Sequence, residues 1–377
     1  MRIAFLTWRD TTHPDGGGSE VYVESVAAEL ARRGHRVDVV CARHGTAPRR
    51  EQRDGMTIHR TGGRLTVYPR ALGWLLRRRR SVDVVVDVVN GLPFAAPLVR
   101  RRGVVALVHH LHEQQWHIIY PGLGGRAGWF VESRVTPRLY RQCRFVAVSA
   151  ATARDLVSLG VAGASIAVAR NGLVVTPDAR PAVTSPAAPS AAPRLCVLAR
   201  LVPHKRIDMA LEVLARLADE RPDLGLDLVG EGWWREPLED AAARLGVAGR
   251  VTFHGHVDAA ERDRLLAQAW LTLVPSVKEG WCLAITEAGA QGTPSIAFDD
   301  AGGVTESIDD GVTGLLVPGP SGVDGLTAAT RRLLDDGRLR DRMGEAARVK
   351  AHGLTWGATT DVVEGVLNEA ASERSRG

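Results

Sequence analysis

Residues 194–229 read RLCVLARLVPHKRIDMALEVLARLADERPDLGLDLV. Two short apolar runs, at residues 195–198 and 226–229, predict buried strands, and the amphipathic stretch 207–218 between them predicts a helix. A strand, a helix and a strand in this order are typical of parallel strands joined by a crossover helix. This segment therefore predicts an α/β fold built on a parallel sheet.

The same alternation of strands and helices extends in both directions along the 377-residue chain. Residues 20–33 predict a helix with Ser19 as its N-cap and Gly34 after its end, and Ser149 is expected to cap another helix. The other strands are predicted at residues 3–6, 37–41, 82–89, 104–108, 145–148, 166–169, 251–253, 271–274, 295–298 and 314–317. The other helices are predicted at residues 235–245, 259–270, 285–290 and 338–352, and from residue 355 onward.

One composition shift interrupts this alternation. Residues 176–193 are rich in Pro, Ala and Ser, which predicts a linker. We therefore expect an α/β protein of two Rossmann-like domains, at residues 1–178 and 179–354, that face a cleft. Ligands of such sheets bind beyond the carboxyl ends of the strands.

The composition, 45% hydrophobic and 24% charged, is that of a globular protein. No apolar run approaches the ~20 residues of a transmembrane helix. The first eight residues have too short an apolar run for a signal peptide, so we expect a cytoplasmic protein. The four cysteines lie far apart in the sequence, which argues against a CxxC-type metal site.

Charge divides the chain into unequal halves. Residues 1–180 carry 27 arginines and 14 acidic residues, whereas the remainder carries 21 basic and 29 acidic residues. A cationic half can face an anionic membrane, a nucleic acid or a phosphorylated substrate, or it can be a solvated surface. Basic clusters lie at residues 77–80 and 100–102. One hypothesis is therefore that this half contacts the inner face of a membrane. Nucleic-acid binding is disfavoured because aromatic residues are few and do not alternate with arginines.

A glycine-rich loop, DGGGSE at residues 15–20, precedes the first predicted helix. Gly16, Gly17 and Gly18 let the backbone approach a ligand, and the helix N-terminus offers free N–H groups to an anion. The dinucleotide fingerprint G-x-G-x-x-G is absent, which argues against a nicotinamide enzyme. The alternative is a plain flexible turn.

Two segments of the second half combine charge with turns. RLVPHK at residues 200–205 follows a predicted strand, where Arg200 and Lys205 can clamp a diphosphate. EGWCLAITE at residues 279–287 places Glu279 and Glu287 around a turn that leads into a helix. The N–H groups of that helix can bind phosphate, and Glu287 can accept hydrogen bonds from a sugar diol. The alternative is a set of solvated surface charges.

Three histidines follow the strand predicted at residues 104–108, at positions 109, 110 and 112. Their spacing on a loop is not a common ligand geometry, so we predict no metal site. His109 is predicted to orient substrate or take part in catalysis. His110 and His112 are expected to be structural.

In this order, these segments resemble the retaining glycosyltransferases of family 4, which have the GT-B fold. The strongest motif is the pair of glutamates eight positions apart within EGWCLAITEAGAQGTPSIA. ARLVPHKRID resembles the diphosphate-clamp loop of the family, and VGEGWWREPLEDAAARLGVAGRVTFHGHV resembles its nucleobase segment. DGGGSE, ALVHH, FVAVSAATARDL and ARNGL match landmarks of the first half, so the resemblance covers nearly the whole chain.

The resemblance implies a role for each matching residue. Arg200 and Lys205 would bind the donor diphosphate, Glu287 the ribose hydroxyls, and His109 would lie beside the anomeric carbon. The terminal helix, residues 355–377, would cross back onto the first domain. The other donor-binding positions implied are Gly16, Gly17, Gly18, Gly230, Val257, Glu279, Gly280, Trp281, Cys282 and Leu283.

The function implied is transfer of a sugar from a UDP- or GDP-sugar with retention of configuration. Because Arg200 and Lys205 offer fixed positive charge to the leaving group, we expect neither a metal nor another cofactor. The acceptor stays open among small natural products, lipids and polysaccharides. The alternatives are a non-hydrolysing sugar-nucleotide 2-epimerase and a catalytically silent protein that binds a membrane or a polymer.

Cys282 departs from the resemblance, because the family commonly has glycine there. We expect the turn to keep a negative φ at Cys282, with the thiol packed away from the phosphate. Nearby cationic groups would depress the pKa of an exposed thiol and make it reactive.

Overall fold

The computed structural model describes residues 1–173 and 189–375. It divides the chain into two compact units, of which the first comprises Met1–Gly172 with Thr355–Gly377 and the second comprises Leu173–Leu354. The predicted domain boundary at residue 178 and most of the predicted linker lie outside the described residues. None of the described helices is long and apolar enough to cross a membrane.

The first unit is built on one eight-stranded sheet whose order is β3-β4-β2-β1-β5-β6-β7-β8. Every neighbouring pair is parallel except β3 and β4. The strands are β1 (Arg2–Leu6), β2 (Arg36–Cys41), β3 (Arg50–Arg53), β4 (Met56–Arg60), β5 (Val84–Val89), β6 (Val104–Val108), β7 (Arg144–Ala147) and β8 (Ile166–Val168). The α-helices that precede β8 in the chain are α1 (Gly18–Arg32), α2 (Val67–Arg78), α3 (Glu113–Ile119), α4 (Leu123–Phe130), α5 (Thr136–Leu139) and α6 (Ala150–Ser158).

The start of α1 differs from the prediction. Its N-cap is Gly17 rather than Ser19, and the backbone N–H of Gly17 donates to Oε2 of Glu20 at 2.7 Å. The buried Glu20 carboxylate thus takes over the capping that a serine hydroxyl was expected to provide. The two other predicted signals are confirmed: Gly34 has a φ of +88° after the helix, and the Ser149 hydroxyl accepts from the first turn of α6.

The second unit has a six-stranded parallel sheet in the order β11-β10-β9-β12-β13-β14. Its strands are β9 (Arg194–Leu198), β10 (Gly225–Val229), β11 (Val251–Gly255), β12 (Leu271–Val274), β13 (Ser295–Phe298) and β14 (Gly314–Val317). Its helices are α7 (Ile207–Leu217), α8 (Arg235–Arg244), α9 (Ala259–Gln268), α10 (Leu283–Ala290), α11 (Val304–Ser307), α12 (Gly322–Asp335) and α13 (Gly337–His352). The strand order reverses between β9 and β12, where ligands of doubly wound sheets bind.

The last helix, α14 (Trp356–Ser375), packs against α1 and β7 of the first unit. Glu364 on α14 accepts a hydrogen bond from Nη1 of Arg33 at 2.7 Å and lies 2.6 Å from Nε2 of His35. These two partners lower the pKa of the Glu364 carboxyl, His35 having the larger effect. The end of the chain is therefore tied to the region where α1 ends.

Candidate functional site

Two loops of the second unit, those after β9 and β12, are joined to each other. The backbone N–H of Val277 donates to the carbonyl oxygen of His204 at 3.0 Å, and Nζ of Lys205 donates to Oε1 of Glu279 at 2.5 Å. The Lys205 and Glu279 side chains are only 19% and 11% exposed, so solvent screens their attraction less than at the surface. Arg200, which is half-buried, lies in the same loop as Lys205. The structure thus brings together Lys205 and Glu279, which the sequence analysis predicted in two separate motifs.

The turn between Glu279 and α10 is held in place by its neighbours. The backbone N–H of Gly303 donates to the carbonyl oxygen of Glu279 at 2.9 Å, and a Cβ on Gly303 would lie 1.8 Å from the carbonyl oxygen of Gly280. The buried indole of Trp281 donates to Oγ1 of Thr286 at 2.9 Å. These contacts therefore fix the backbone that, by the resemblance, is expected to face the sugar and the phosphates.

Cys282 corrects one prediction and confirms another. Its φ is +78°, in the left-handed region, so the expected negative φ is wrong. Cys282 is the N-cap of α10, and its carbonyl oxygen accepts from the N–H of Ile285 at 3.2 Å. An N-cap ordinarily has extended backbone, so the left-handed φ belongs to this particular turn and not to capping in general. The thiol is buried in the core of the unit, as expected, and burial raises its pKa rather than lowering it. The glycine that is common in the family suits this backbone without strain.

Glu287, on α10, is paired with a residue that the sequence analysis missed. Nη1 of Arg262, on α9, donates to Oε1 of Glu287 at 2.8 Å, and the same guanidinium contacts Asp263. Burial raises the pKa of Glu287 to about 6, with Arg262 opposing the rise and Asp263 adding to it. Arg262 lies 25 positions before Glu287 on another helix, and no sequence signal marks it as a partner.

The predicted nucleobase segment lies at the same edge of the second sheet. Gly230 follows β10 with a φ of +131°, and a Cβ there would lie 2.1 Å from the carbonyl oxygen of Ala199. Only glycine therefore fits where the β10 loop passes the end of β9. Val257, half-buried, lies two residues beyond β11, and Leu283 is the first residue of α10. These predicted positions follow the carboxyl ends of β10, β11 and β12.

In the first unit, the glycine loop follows β1 and leads into α1. A Cβ on Gly16 would come within 3.0 Å of a carbonyl oxygen of the loop, and Gly18 is the first residue of α1. Glu20, which caps Gly17, also lies 3.4 Å from Nε of the buried Arg9. Arg9 was not predicted; it lies three residues beyond the end of β1 and contacts the glutamate that caps the glycine loop.

His109 follows β6 and is almost fully buried. Its ring meets the edge of Tyr22, with 5.4 Å between ring centroids, and its carbonyl oxygen accepts from Oγ1 of Thr152 at 2.8 Å. No hydrogen bond reaches Nε2 of His109 from any described residue. Burial lowers the pKa of His109 to about 3, and His112 acts in the same direction. The imidazole is therefore neutral near pH 7, with an unsatisfied nitrogen.

The neighbouring histidines are bonded, as expected of structural residues. Nδ1 of His112 lies 2.8 Å from Oε1 of Glu132, and its Nε2 lies 2.9 Å from Oδ1 of Asn90. Nε2 of His110 lies 3.3 Å from Oε1 of Gln115. Among residues 1–173 and 189–375, no group of three or more His, Cys, Asp or Glu is arranged to hold a metal ion.

The two arginine clusters of the first unit differ in exposure. Arg100 is 8% exposed, and its guanidinium donates to the carbonyl oxygens of Val82, Asp83 and Arg102. The prediction that arginines 100–102 form one basic surface is therefore wrong for Arg100, which supports the turns around β5 and β6. In the cluster at residues 77–80, three of the four arginines are exposed.

Two family models match the chain, "Glycosyltransferase Family 4" at residues 16–177 and "Glycosyl transferases group 1" at residues 183–350. The MMP alpha-(1->4)-mannosyltransferase of Mycolicibacterium hassiacum is 30% identical, over 93% of each chain. This chain belongs to glycosyltransferase family 4. The predicted family is confirmed, and the protein is a glycosyltransferase.

Further comparisons agree with this assignment. The glycosyltransferase is 29% identical to a GDP-mannose-dependent phosphatidylinositol monomannoside mannosyltransferase of Mycolicibacterium smegmatis, over 89% of this chain and 90% of that one. Sucrose-phosphate synthase from Thermosynechococcus elongatus has a TM-score of 0.80 at 21% identity, over 98% of both chains. Anabaena HepE, solved with UDP and glucose, has a TM-score of 0.75 at 19% identity, over 98% of this chain and 100% of that one. The predicted GT-B fold is confirmed.

Proposed function

We propose that this glycosyltransferase moves a sugar from a UDP- or GDP-sugar to an acceptor, with retention of the anomeric configuration and without a metal. The observation that carries the proposal is the Lys205–Glu279 pair, which lies where the strand order of the second sheet reverses. The comparisons support this donor class: HepE, a protein of the same fold, has been solved with UDP-glucose, and the M. smegmatis mannosyltransferase is named for GDP-mannose.

Departure of the nucleoside diphosphate is the step that needs positive charge. When the bond from the anomeric carbon to the diphosphate oxygen breaks, negative charge grows on that oxygen. Arg200 and Lys205 would stabilise this charge from fixed positions, which can lower the barrier by several kcal/mol. The ammonium group of Lys205 has three N–H donors, and Glu279 takes one of them. The side-chain cations thus supply the charge that a metal provides in other transferases.

The remaining residues would orient the donor. Glu287, whose Oε1 accepts from Arg262, would accept hydrogen bonds from the ribose hydroxyls. Glu279 and the backbone of residues 280–283 would face the sugar and the phosphates. The unsatisfied Nε2 of His109 would bond to a sugar hydroxyl near the anomeric carbon. A buried nitrogen without a partner is costly, which favours a ligand as its partner.

Retention follows if the acceptor oxygen attacks from the side on which the diphosphate leaves. The acceptor oxygen bonds to the anomeric carbon, the donor C–O bond breaks, and the acceptor proton passes to the departing phosphate oxygen. This step needs no side-chain base, in keeping with a His109 that is neutral and hard to protonate. The anomeric configuration of the product, read by NMR, tests this part of the proposal directly.

The donor is tested by thermal shift with UDP-, GDP-, ADP- and TDP-sugars. A ligand at 100 times its Kd adds about 2.7 kcal/mol to the free energy of unfolding. A UDP- or GDP-sugar should raise the melting temperature, and a chain stabilised by none of the four would contradict the proposal. Nucleotide release that depends on an acceptor would then exclude the 2-epimerase and the silent binding protein.

A further inference from the structure

One helical face of the first unit is exposed and carries both apolar and basic side chains. α4, a π-helical turn at Val131–Val135 and α5 follow one another without a break. Leu123, Ala127, Phe130, Arg134 and Arg138 are spaced three or four positions apart along this stretch and are all exposed. Residues at such spacing share one side of a helix. We call these five residues the α4–α5 face.

The opposite side of α4 is packed against α3, which leaves Leu123 and Phe130 largely uncovered by the described residues. Gly125 and Gly128 are buried, and a Cβ on Gly128 would lie 2.4 Å from the ring of Trp116 on α3. In contrast, Leu123 is 82% exposed and Phe130 is 60% exposed. Residues 118–120, at the end of α3, add two isoleucines and a tyrosine that are also exposed.

The charge around this face is mostly positive. From the start of α3 to residue 141 the sequence contains four arginines and two acidic residues, Glu113 and Glu132. All four arginines are exposed, whereas Glu132 is buried and bonded to His112 and Trp116. Glu113 is the one exposed carboxylate of this segment, so the exposed arginines outnumber it four to one.

Glu132 also fixes where the face lies. Its carboxylate accepts from the backbone N–H of His112 at 3.1 Å and from the indole of Trp116 at 2.8 Å. The helical stretch is thereby tied to the loop after β6, which begins with His109. The α4–α5 face consequently belongs to the carboxyl edge of the first sheet.

We propose that the α4–α5 face binds the surface of an anionic lipid bilayer. The apolar side chains at its start would enter the interface, and the arginines that follow would pair with acidic headgroups, the arrangement of an interfacial amphipathic helix. A second copy of this chain fits less well, because a two-fold contact through this face would set arginine against arginine. The cluster at residues 77–80 combines its arginines with a single exposed leucine and is the weaker candidate.

Vesicle flotation without nucleotide tests this proposal, so its result does not depend on the donor. The vesicles are phosphatidylcholine with 30% phosphatidylglycerol, and phosphatidylcholine alone as a control. At about 0.1 M salt the protein should float with the anionic vesicles only, and binding should weaken as salt screens the arginines. Leu123→Gln with Phe130→Gln should lower binding about tenfold or more, and Arg134→Gln with Arg138→Gln should lower it about tenfold to thirtyfold.

Matched controls separate this face from general charge and apolarity. Val312→Gln with Val349→Gln removes two exposed apolar residues of the second unit, and Arg77→Gln with Arg79→Gln removes two arginines of α2's end. Both controls should bind within about threefold of the unchanged protein. No flotation of the unchanged protein, or an equal loss in a control pair, would overturn the proposal. The proposal would also be overturned if the protein did not bind vesicles but formed a dimer that Leu123→Gln with Phe130→Gln disrupted.

Discussion

Nζ of Lys205 lies 2.5 Å from Oε1 of Glu279, and this ion pair joins the loops that follow the two central strands of the second sheet. The pair positions the ammonium group before any ligand arrives, at the expense of partly neutralising it. In the proposed mechanism, a diphosphate would share Lys205 with Glu279. This arrangement is suited to a charge that is needed most when the diphosphate leaves, since the cation is already in place.

Glu287 should make donor binding depend on pH. Burial raises its pKa to about 6, so the carboxylate proposed to accept hydrogen bonds from ribose is lost as the pH falls through 6. KM for the donor should rise about tenfold between pH 7 and pH 5, while kcat changes little. Glu287→Gln cannot ionise, and it should show a raised KM without this pH dependence. If Glu287→Gln instead lowered kcat strongly at an unchanged KM, Glu287 would take part in the chemical step.

His109 should act without changing its charge. Because its pKa is lowered to about 3, the imidazole is neutral from pH 5 to pH 8. His109→Leu, which can neither donate nor accept a hydrogen bond, should lower kcat about a hundredfold. The shape of the pH–rate profile should stay that of the unchanged enzyme. The prediction is wrong if the pH–rate profile of the unchanged enzyme has a limb with an apparent pKa between 6 and 7 and the variant lacks that limb.

Cys282 should tolerate glycine better than valine. At a φ of +78° a β-branched side chain is strained. The free energy of unfolding of Cys282→Val should therefore be lower than that of Cys282→Gly by about 1 kcal/mol or more. Cys196, in the extended backbone of β9, is the matched control and should show the opposite order. Equal stability of the two Cys282 variants would show that the backbone there is not left-handed.

The same variants test whether the Cys282 thiol has a chemical role. Cys282→Gly and Cys282→Ala should each keep at least about a tenth of the activity, a rise of ~1.4 kcal/mol or less in the barrier. All four cysteines are buried, so the folded protein should react slowly with a thiol reagent and fully only after unfolding. A thousandfold loss in Cys282→Ala, with the fold intact by circular dichroism, would show that the thiol is needed.

Sequence patterns predicted the strands that carry the site because those strands are buried on both faces. Runs such as Val84–Val89 and Val104–Val108 are nearly all apolar, and their loops fall at the carboxyl edge by topology alone. The β3–β4 hairpin was missed because β3 is wholly polar and lies at the sheet edge, and because β4 alternates apolar and polar residues over only five positions. Its turn, Asp54-Gly55 with φ values of +49° and +80°, carried the signal that could have revealed it.

Pairings across helices were beyond the reach of sequence spacing. Arg262 with Glu287, and Arg9 with Glu20, depend on which faces the folded helices and loops present to each other. The same limit applies to Arg100, whose burial follows from the path of the chain between β5 and β6. The error at Cys282 has another cause, because the presence of a cysteine in a sequence does not indicate whether its φ is positive or negative.

The central claim, that fixed side-chain cations stabilise the departing diphosphate, is tested most directly with Lys205→Ala. With an identified donor and acceptor, kcat should fall about 10²–10³-fold, because the lost charge acts mainly as the diphosphate leaves. Lys205→Ala also leaves the largely buried Glu279 carboxylate without its partner, so the melting temperature should fall, and circular dichroism at the assay temperature must show that the fold is intact. Lys350→Ala, which removes another lysine of the second unit, should keep near-normal turnover. Turnover of Lys205→Ala within about threefold of the unchanged enzyme would contradict the account.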